Sequence, residues 1–337
     1  MMAREGDLIE AIDGNIFDVK GLVHPPNKII AFIRFTPDPQ GERKRNNQRF
    51  RKVYPLQDRY ELLKERFPQY LVFDSVFNEW MCEVPTNKIK KNYKPNKYLN
   101  QLRKKKITQE LEKQTLQLTQ LLKQEASVPW KALGVSGSLL VNLQSNTSDI
   151  DLIVYGSANC QKVYNALKLL IQDETGQVRP HTRSELKALF DFRSKDTNVS
   201  FEDFVRTESR KVLQGKFGQR DYFIRCIKEQ KEINETYGST IYEPAGEAKI
   251  KATIADNSEM IYTPCRYQIE TNKVLEGTKV DYPTEIVSFR GRFCEQAQLG
   301  EEVISRGKVE RVQRVGEKNH HYRVLLGNKP SDFMTLA

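Results

Sequence analysis

Residues 134–156 read GVSGSLLVNLQSNTSDIDLIVYG, and this stretch decides how the middle of the chain folds. An apolar run ends at Gly137-Ser138, helix-compatible residues follow, and Asp149-Ile150-Asp151 then opens a second apolar run. The closing DIDLIVYG predicts a strand. Side chains alternate along a strand, so Asp149 and Asp151 share one face while Ile150 and Leu152 point to the other, into a core. Two ionised carboxylates side by side repel, and desolvating them beside a buried strand is costly. A divalent cation resolves the repulsion, and an all-oxygen donor set favours Mg2+ or Mn2+ over zinc. Gly137-Ser138 falls at a predicted strand-to-helix turn. Glycine allows close backbone approach there, and unpaired N–H groups with the Ser138 hydroxyl suit a triphosphate. Nucleotidyl or phosphoryl transfer uses both features, because its transition state is stabilised chiefly by positioning and charge neutralisation.

Working outward, WKALGVSG predicts a strand before the turn, CQKVYNALKLLIQDE an amphipathic helix after it, SELKALFDFR and FEDFVRTESRKVLQ further helices, and DYFIRCI another strand. Strands and helices alternate, giving an α/β (α+β) core with a mixed sheet over residues 91–233. Upstream, residues 1–90 read as a β-rich basic domain. GDLIEAIDGNIFDVKGLVHPPNKIIAFIRFTP alternates apolar and polar residues, with Asp13-Gly14 as a hairpin turn and Pro25-Pro26 as a break, before a short helix stopped by Pro68. ITQELEKQTLQLTQLLKQE, with Leu111, Leu118, Leu121 and Leu122 at helical spacing, is assigned to the middle domain. Downstream, residues 234–337 carry short strands between Gly, Asn and Pro turns, which predicts a small antiparallel barrel or sandwich. IVSFRGRFCEQ places Arg290 and Arg292 on one face of a strand there, with Lys251 and Arg266 nearby.

With these elements in place, the stretch resembles the polymerase-beta-type nucleotidyltransferase signature: strand, Gly-Ser, about ten residues, then Asp-hydrophobic-Asp. Gly137, Ser138, Asp149 and Asp151 match it residue by residue. The rest of the chain is similar, less specifically, to archaeal nucleotidyltransferase-domain proteins. The resemblance implies a nucleoside triphosphate at Gly137 and Ser138, metal at Asp149 and Asp151, and a third carboxylate on a neighbouring strand. That third group would complete the metal site and help deprotonate the acceptor. Asp221, opening the next convincing strand, is the candidate; Glu202 and Asp203 are rivals that fit better in the first turn of a helix.

The chain has 337 residues, with a net charge of +10, 38% hydrophobic and 29% charged positions, and a pI near 9.2. Its length accommodates two or three domains. The positive balance points to polyanionic partners. Two segments concentrate it. Arg43, Lys44, Arg45, Arg49 and Arg51 surround Phe50, and residues 88–106, with Lys90, Lys91, Lys94, Lys104 and Lys105, contain no acid. Charge interleaved with aromatics suits phosphate contact with base stacking. Five scattered cysteines without a Cys-x-x-Cys argue against a disulfide framework and a zinc site, and His24, His181, His320 and His321 assemble no ligand spacing. No run spans a membrane, so a cytoplasmic protein is expected. The reading is a metal-dependent nucleotidyltransferase with a nucleic-acid 3′ hydroxyl as acceptor. Two alternatives stay open: a small-molecule or protein acceptor, and a catalytically inactive nucleic-acid-binding scaffold.

Overall fold

The alternating apolar residues at the start of the chain build a β layer. Its strands are β1 (Leu8–Ala11), β2 (Ile16–Val19), β3 (Lys28–Pro37), β4 (Arg43–Arg45), β5 (Gln48–Lys52), β6 (Leu71–Asp74), β7 (Glu79–Pro85) and β8 (Ile89–Tyr93), with helix α1 (Leu56–Arg66) between β5 and β6. The order is β4-β5-β3-β2-β1-β8, and β7 pairs with both β3 and β6. Two turns set the register. Gly14 takes φ +83° between β1 and β2, and Asn46 and Asn47 take φ 48° and 64° between β4 and β5, the left-handed pair that a two-residue hairpin requires. The inward residues Ile9, Phe17, Ile33 and Val84 form one core. In this computed structural model, residues 3–193, 198–278 and 281–337 are described.

The middle of the chain runs α2 (Pro95–Leu102), α3 (Glu110–Glu125), β9 (Leu133–Val135), α4 (Gly137–Leu140), β10 (Ile150–Tyr155), α5 (Ser157–Gln172), β11 (Val178–Arg179), α6 (Arg183–Arg193), α7 (Phe201–Glu208), β12 (Gln214–Phe217) and β13 (Arg220–Ile227). Five strands form a mixed sheet ordered β11-β12-β13-β10-β9. Only β10 and β13 run parallel, with Ile150 beside Tyr222, Asp151 beside Phe223 and Ile153 beside Arg225. Helix α3 buries Leu111, Leu118 and Leu122 as their spacing requires. The Thr115 and Thr119 hydroxyls donate back to the Leu111 and Thr115 carbonyls at 2.7 and 2.6 Å. Ser200 caps α7 by accepting from the Asp203 N–H at 3.1 Å.

The last third holds β14 (Thr240–Asp256), β15 (Cys265–Gly277), β16 (Glu285–Ser288), β17 (Glu302–Arg314), β18 (His320–Leu326) and β19 (Phe333–Leu336). Pairings run β14-β15-β16-β18-β17-β19, and β17 also pairs with β14, which closes a ring of five strands. All are antiparallel except β16 with β18. The expected strand through Arg290 and Arg292 is not formed. Strand β16 stops at Ser288, whose hydroxyl accepts from the Arg290 N–H at 3.1 Å and donates to the Leu326 carbonyl at 2.9 Å. That bond competes with the ladder and turns the chain into a single helical turn at residues 291–293.

The chain divides into two compact units. The first holds Met1–Val72, Cys82–Pro180 and Val212–Asn234; the second holds Phe73–Met81, His181–Lys211 and Glu235–Ala337. The boundary expected between residues 90 and 91 falls inside β8, which pairs antiparallel with β1. Helix α2 then packs on β9 so closely that a Cβ at Gly134 would lie 2.6 Å from Pro95 Cβ. The N-terminal layer and the five-stranded sheet are therefore one unit. All five cysteines are free and buried. Among the described residues no helix is long and apolar enough to cross a membrane.

Candidate active site

Strand β10 buries both faces along most of its length, since Ile150, Leu152, Ile153, Val154 and Tyr155 are all within 1% of full burial. Its start is different: Asp149 is exposed and Asp151 half-buried. Asp151 is held from behind by β9, where the Ser136 N–H donates to the Asp151 carbonyl at 2.9 Å. Gly137 takes φ +63°, and any Cβ there would collide with the Asp151 carboxylate. Gly137 is thus required twice, for its backbone conformation and for the carboxylate against it.

The loop between the two halves of the motif is tied down by serines and arginines. Helix α4 is a single turn of four residues. Ser138 Oγ donates to Ser148 Oγ at 3.1 Å, and Ser148 Oγ accepts from the Ser145 N–H at 2.9 Å. From β4, Arg43 donates to the Leu143 carbonyl at 3.3 Å and to Ser148 Oγ at 3.2 Å. From β13, Arg220 donates to the carbonyls of Asn146 and Ser148 at 3.0 and 2.7 Å. Two guanidinium groups therefore fix the loop that delivers Asp149.

The N-terminal layer lies over this end of the sheet. Ser136 Oγ donates to the Gly6 carbonyl at 2.7 Å. Arg225, on the same face of β13 as Phe223, reaches Glu5 at 2.7 Å and Asp18 at 3.5 Å. Lys20 reaches the same two carboxylates at 3.2 and 2.8 Å. Burial alone would raise the Asp18 carboxyl, yet Lys20 and Arg225 hold it well below the usual carboxylate range. The opposite holds for Asp151. Burial and repulsion from Asp149 push its carboxyl up to about 7, against the pull of Arg225, Arg34 and Lys52. Burial lowers the Lys52 ammonium, Arg34 adds to the effect, and Asp149 and Asp151 oppose it.

The remaining sequence candidates divide. Asp221 precedes Tyr222, the partner of Ile150, so it shares the face of Asp149. Its side chain is 56% exposed and pairs with Lys216 across β12 at 2.9 Å. Beside Asp151 stands Phe223, and the next residue on that face is Arg225. Among the described residues no three His, Cys, Asp or Glu side chains gather as a metal-holding group, so the expected trio of Asp149, Asp151 and Asp221 is not assembled. Glu202 and Asp203 belong to the other unit.

Of the basic candidates, Arg43 is spent on the loop and Arg45 on Glu10, Tyr93 Oη and the Val141 carbonyl at 3.0, 3.1 and 3.4 Å. Arg49 donates to the Gly41 carbonyl at 3.1 Å, and Arg51 pairs with Asp38 at 3.4 Å. Lys90 pairs with Glu10 at 3.3 Å and Lys105 with Glu112 at 2.8 Å. Lys91 stacks on Tyr93. Lys44 and Lys104 are exposed, and Lys94 is half-buried. Sequence reasoning missed Arg34 and Arg225 and counted Lys52 only in the basic cluster that begins at Arg43. The alternation of DYFIRCI places Arg225 on the face of Asp221, but nothing local says that β3 and β5 come to lie beside β10.

Oxygen donors at Asp149 and Asp151 fit one hard divalent cation. Burial and then repulsion from Asp149 raise the Asp151 carboxyl, and a cation held by both carboxylates would relieve that repulsion. Over 342 aligned residues the chain is 31% identical to "Uncharacterized protein MJ1086" of Methanocaldococcus jannaschii, covering 99% of this chain and 98% of that one. The chain belongs to that protein's family. No family model matches the chain, and no solved structure does. This family's charge, in the present chain, is unevenly placed. The first unit has 33 Lys and Arg against 21 Asp and Glu, a net of +12; the second has 21 against 23, a net of −2.

Proposed function

We propose that the first unit is a metal-dependent nucleotidyltransferase that moves a nucleotidyl group from a nucleoside triphosphate to a nucleic-acid 3′ hydroxyl, with release of pyrophosphate. The observation that carries the reading is the contact of Gly137 with the Asp151 carboxylate, which joins the two halves of the motif at one point. Asp149 and Asp151 would hold a Mg2+ or Mn2+ ion. Bound there, the ion would neutralise phosphate charge and polarise the oxygens at phosphorus. Ser138 and the fixed 143–148 loop orient the carboxylates, and the covering N-terminal layer keeps the inner end of β10 dry. The net of +12 on this unit supports a polyanionic acceptor.

The test mixes the purified protein with labelled nucleoside triphosphates, Mg2+ and a short RNA or DNA oligonucleotide, beside the Asp149→Ala, Asp151→Ala double variant. Growth of the oligonucleotide with the native protein alone is expected. No growth with either, together with equal oligonucleotide binding by both, overturns the reading. A second reading is favoured by Asp221, the expected third carboxylate, being 56% exposed and paired with Lys216: a nucleic-acid-binding protein on a non-catalytic scaffold. The same experiment separates the two.

A further inference from the structure

Around β10 the charged groups fall into two sets. Glu5 and Asp18 are matched by Lys20 and Arg225 in a set joined by contacts of 2.7 to 3.5 Å. The second set is Asp149 and Asp151 against Arg34 and Lys52, which act on one another electrostatically. Among the described residues no hydrogen bond or ion pair joins the carboxylates of this second set to its cations.

The packing explains why they face one another. Phe50 on β5 is fully buried against Leu140, Val141 and Leu143 of the motif loop, and Lys52 follows two residues later on the same face. Arg34 is the extra residue of a bulge on β3, where Phe17 pairs with Ile33 and Ile16 with Phe35, the partner of Lys52, so the alternation is broken beside Lys52. Both cations lie over Tyr54, at 5.3 and 5.8 Å from its ring centroid. Two carboxylates on one wall and two cations on the other, balanced yet not in contact, suit a ligand that itself carries both signs. A bare divalent cation would add two positive charges beside Arg34 and Lys52. A bare polyphosphate would face Asp149 and Asp151. Together they leave each wall matched.

We propose that this site takes its divalent cation and its polyphosphate as one unit, with Lys52 and Arg34 of the N-terminal layer holding the phosphate oxygens and keeping the affinity for cation alone low. The proposal rests on the transferase reading and assigns its triphosphate tail to residues outside the Gly-Ser motif.

Equilibrium dialysis with Mn2+ and inorganic tripolyphosphate tests it, with Mn2+ read by electron paramagnetic resonance and tripolyphosphate by radiolabel. Each probe alone is expected to be retained weakly, and tripolyphosphate retention is expected to rise roughly tenfold or more when Mn2+ is present. Lys52→Ala is expected to tighten Mn2+ binding on its own and to remove most of that rise. Lys52→Arg, which keeps the charge, should behave as the native protein and controls for folding. Equal retention of Mn2+ with and without tripolyphosphate overturns the proposal, as does a Lys52→Ala variant with unchanged coupling. If oligonucleotide extension persists under either result, the proposal falls and the transferase reading stands. If neither probe binds the native protein singly or together, both fall.

Discussion

Each unit of the chain buries an arginine among carboxylates, and the two are completed differently. In the second unit Arg323 donates to Glu310 at 2.8 Å and stacks on Tyr242 at 4.1 Å. Lys308 reaches the same glutamate at 2.9 Å, and nearby Glu285 has His321 and Arg266 at 3.1 and 3.2 Å. Every carboxylate in that cluster has a direct partner. In the first unit Arg225 satisfies Glu5 and Asp18 in the same manner, yet Asp151, within its field, has burial and Asp149 raising its carboxyl to about 7. A closed cluster holds a fold together. A cluster that leaves one carboxylate raised is the one in which the proposed ligand is to be sought.

The strongest way to break this comparison is to remove the open carboxylates. The Asp149→Ala, Asp151→Ala variant is expected to lose nucleotide incorporation by roughly a thousandfold or more, with its circular dichroism unchanged. Loss of folding instead would make these aspartates structural, like Glu310.

Next come the two arginines. Arg225→Met and Arg323→Met are each expected to cost about 3 kcal/mol in denaturant unfolding, because each removes the buried guanidinium from a carboxylate cluster and leaves it a single lysine. Arg225→Met alone should also alter Mn2+ retention. Equal effects of both variants on Mn2+ would erase the distinction between the clusters.

A smaller effect separates them by pH. The Asp151 carboxyl rises from 3.8 to about 7 on folding, so between those values the folded chain binds the extra proton and stability falls as pH rises. Asp151→Asn removes that loss. Without metal, the variant should melt higher than the native protein above pH 7, by roughly 1–2 kcal/mol after allowance for solvent screening. The difference should close as pH falls toward 3.8. Melting curves across this range check it, and a gap independent of pH would refute it.

The smallest effect concerns the uneven charge. Lys44→Ala with Lys104→Ala should weaken oligonucleotide binding several-fold and reduce the salt slope by about one per charge removed. Matched changes at Lys251 and Lys273 in the second unit should leave both unaltered, as fluorescence anisotropy at several salt concentrations would show.

Local patterns carried much of this. Alternation in IIAFIRF and DIDLIVYG, the leucine spacing of α3 and the Asp13-Gly14 turn depend on neighbours along the chain, and the structure forms those elements where the sequence places them. The contact of Gly137 with the Asp151 carboxylate was not read from the sequence, which assigned the glycine to a triphosphate. Where a side chain competes for the backbone, local reading failed: Ser288 ends β16 before Arg290. Basicity was also misleading at Arg43 and Arg45, since a charge run does not say which of its members meet buried carbonyls.

Sequence by itself determined the strands of IIAFIRF and DIDLIVYG, the order of Gly-Ser and Asp-x-Asp, and the excess of positive charge. Only the tertiary structure decided that β8 returns to β1, that the N-terminal layer and the five-stranded sheet form one unit, and that Arg34, Lys52 and Arg225 surround Asp151. The physical reason is separation along the chain. Arg34 and Asp151 are joined by no local periodicity, and their meeting depends on the burial of Phe50 against Leu140, Val141 and Leu143, a packing choice made by the whole core at once.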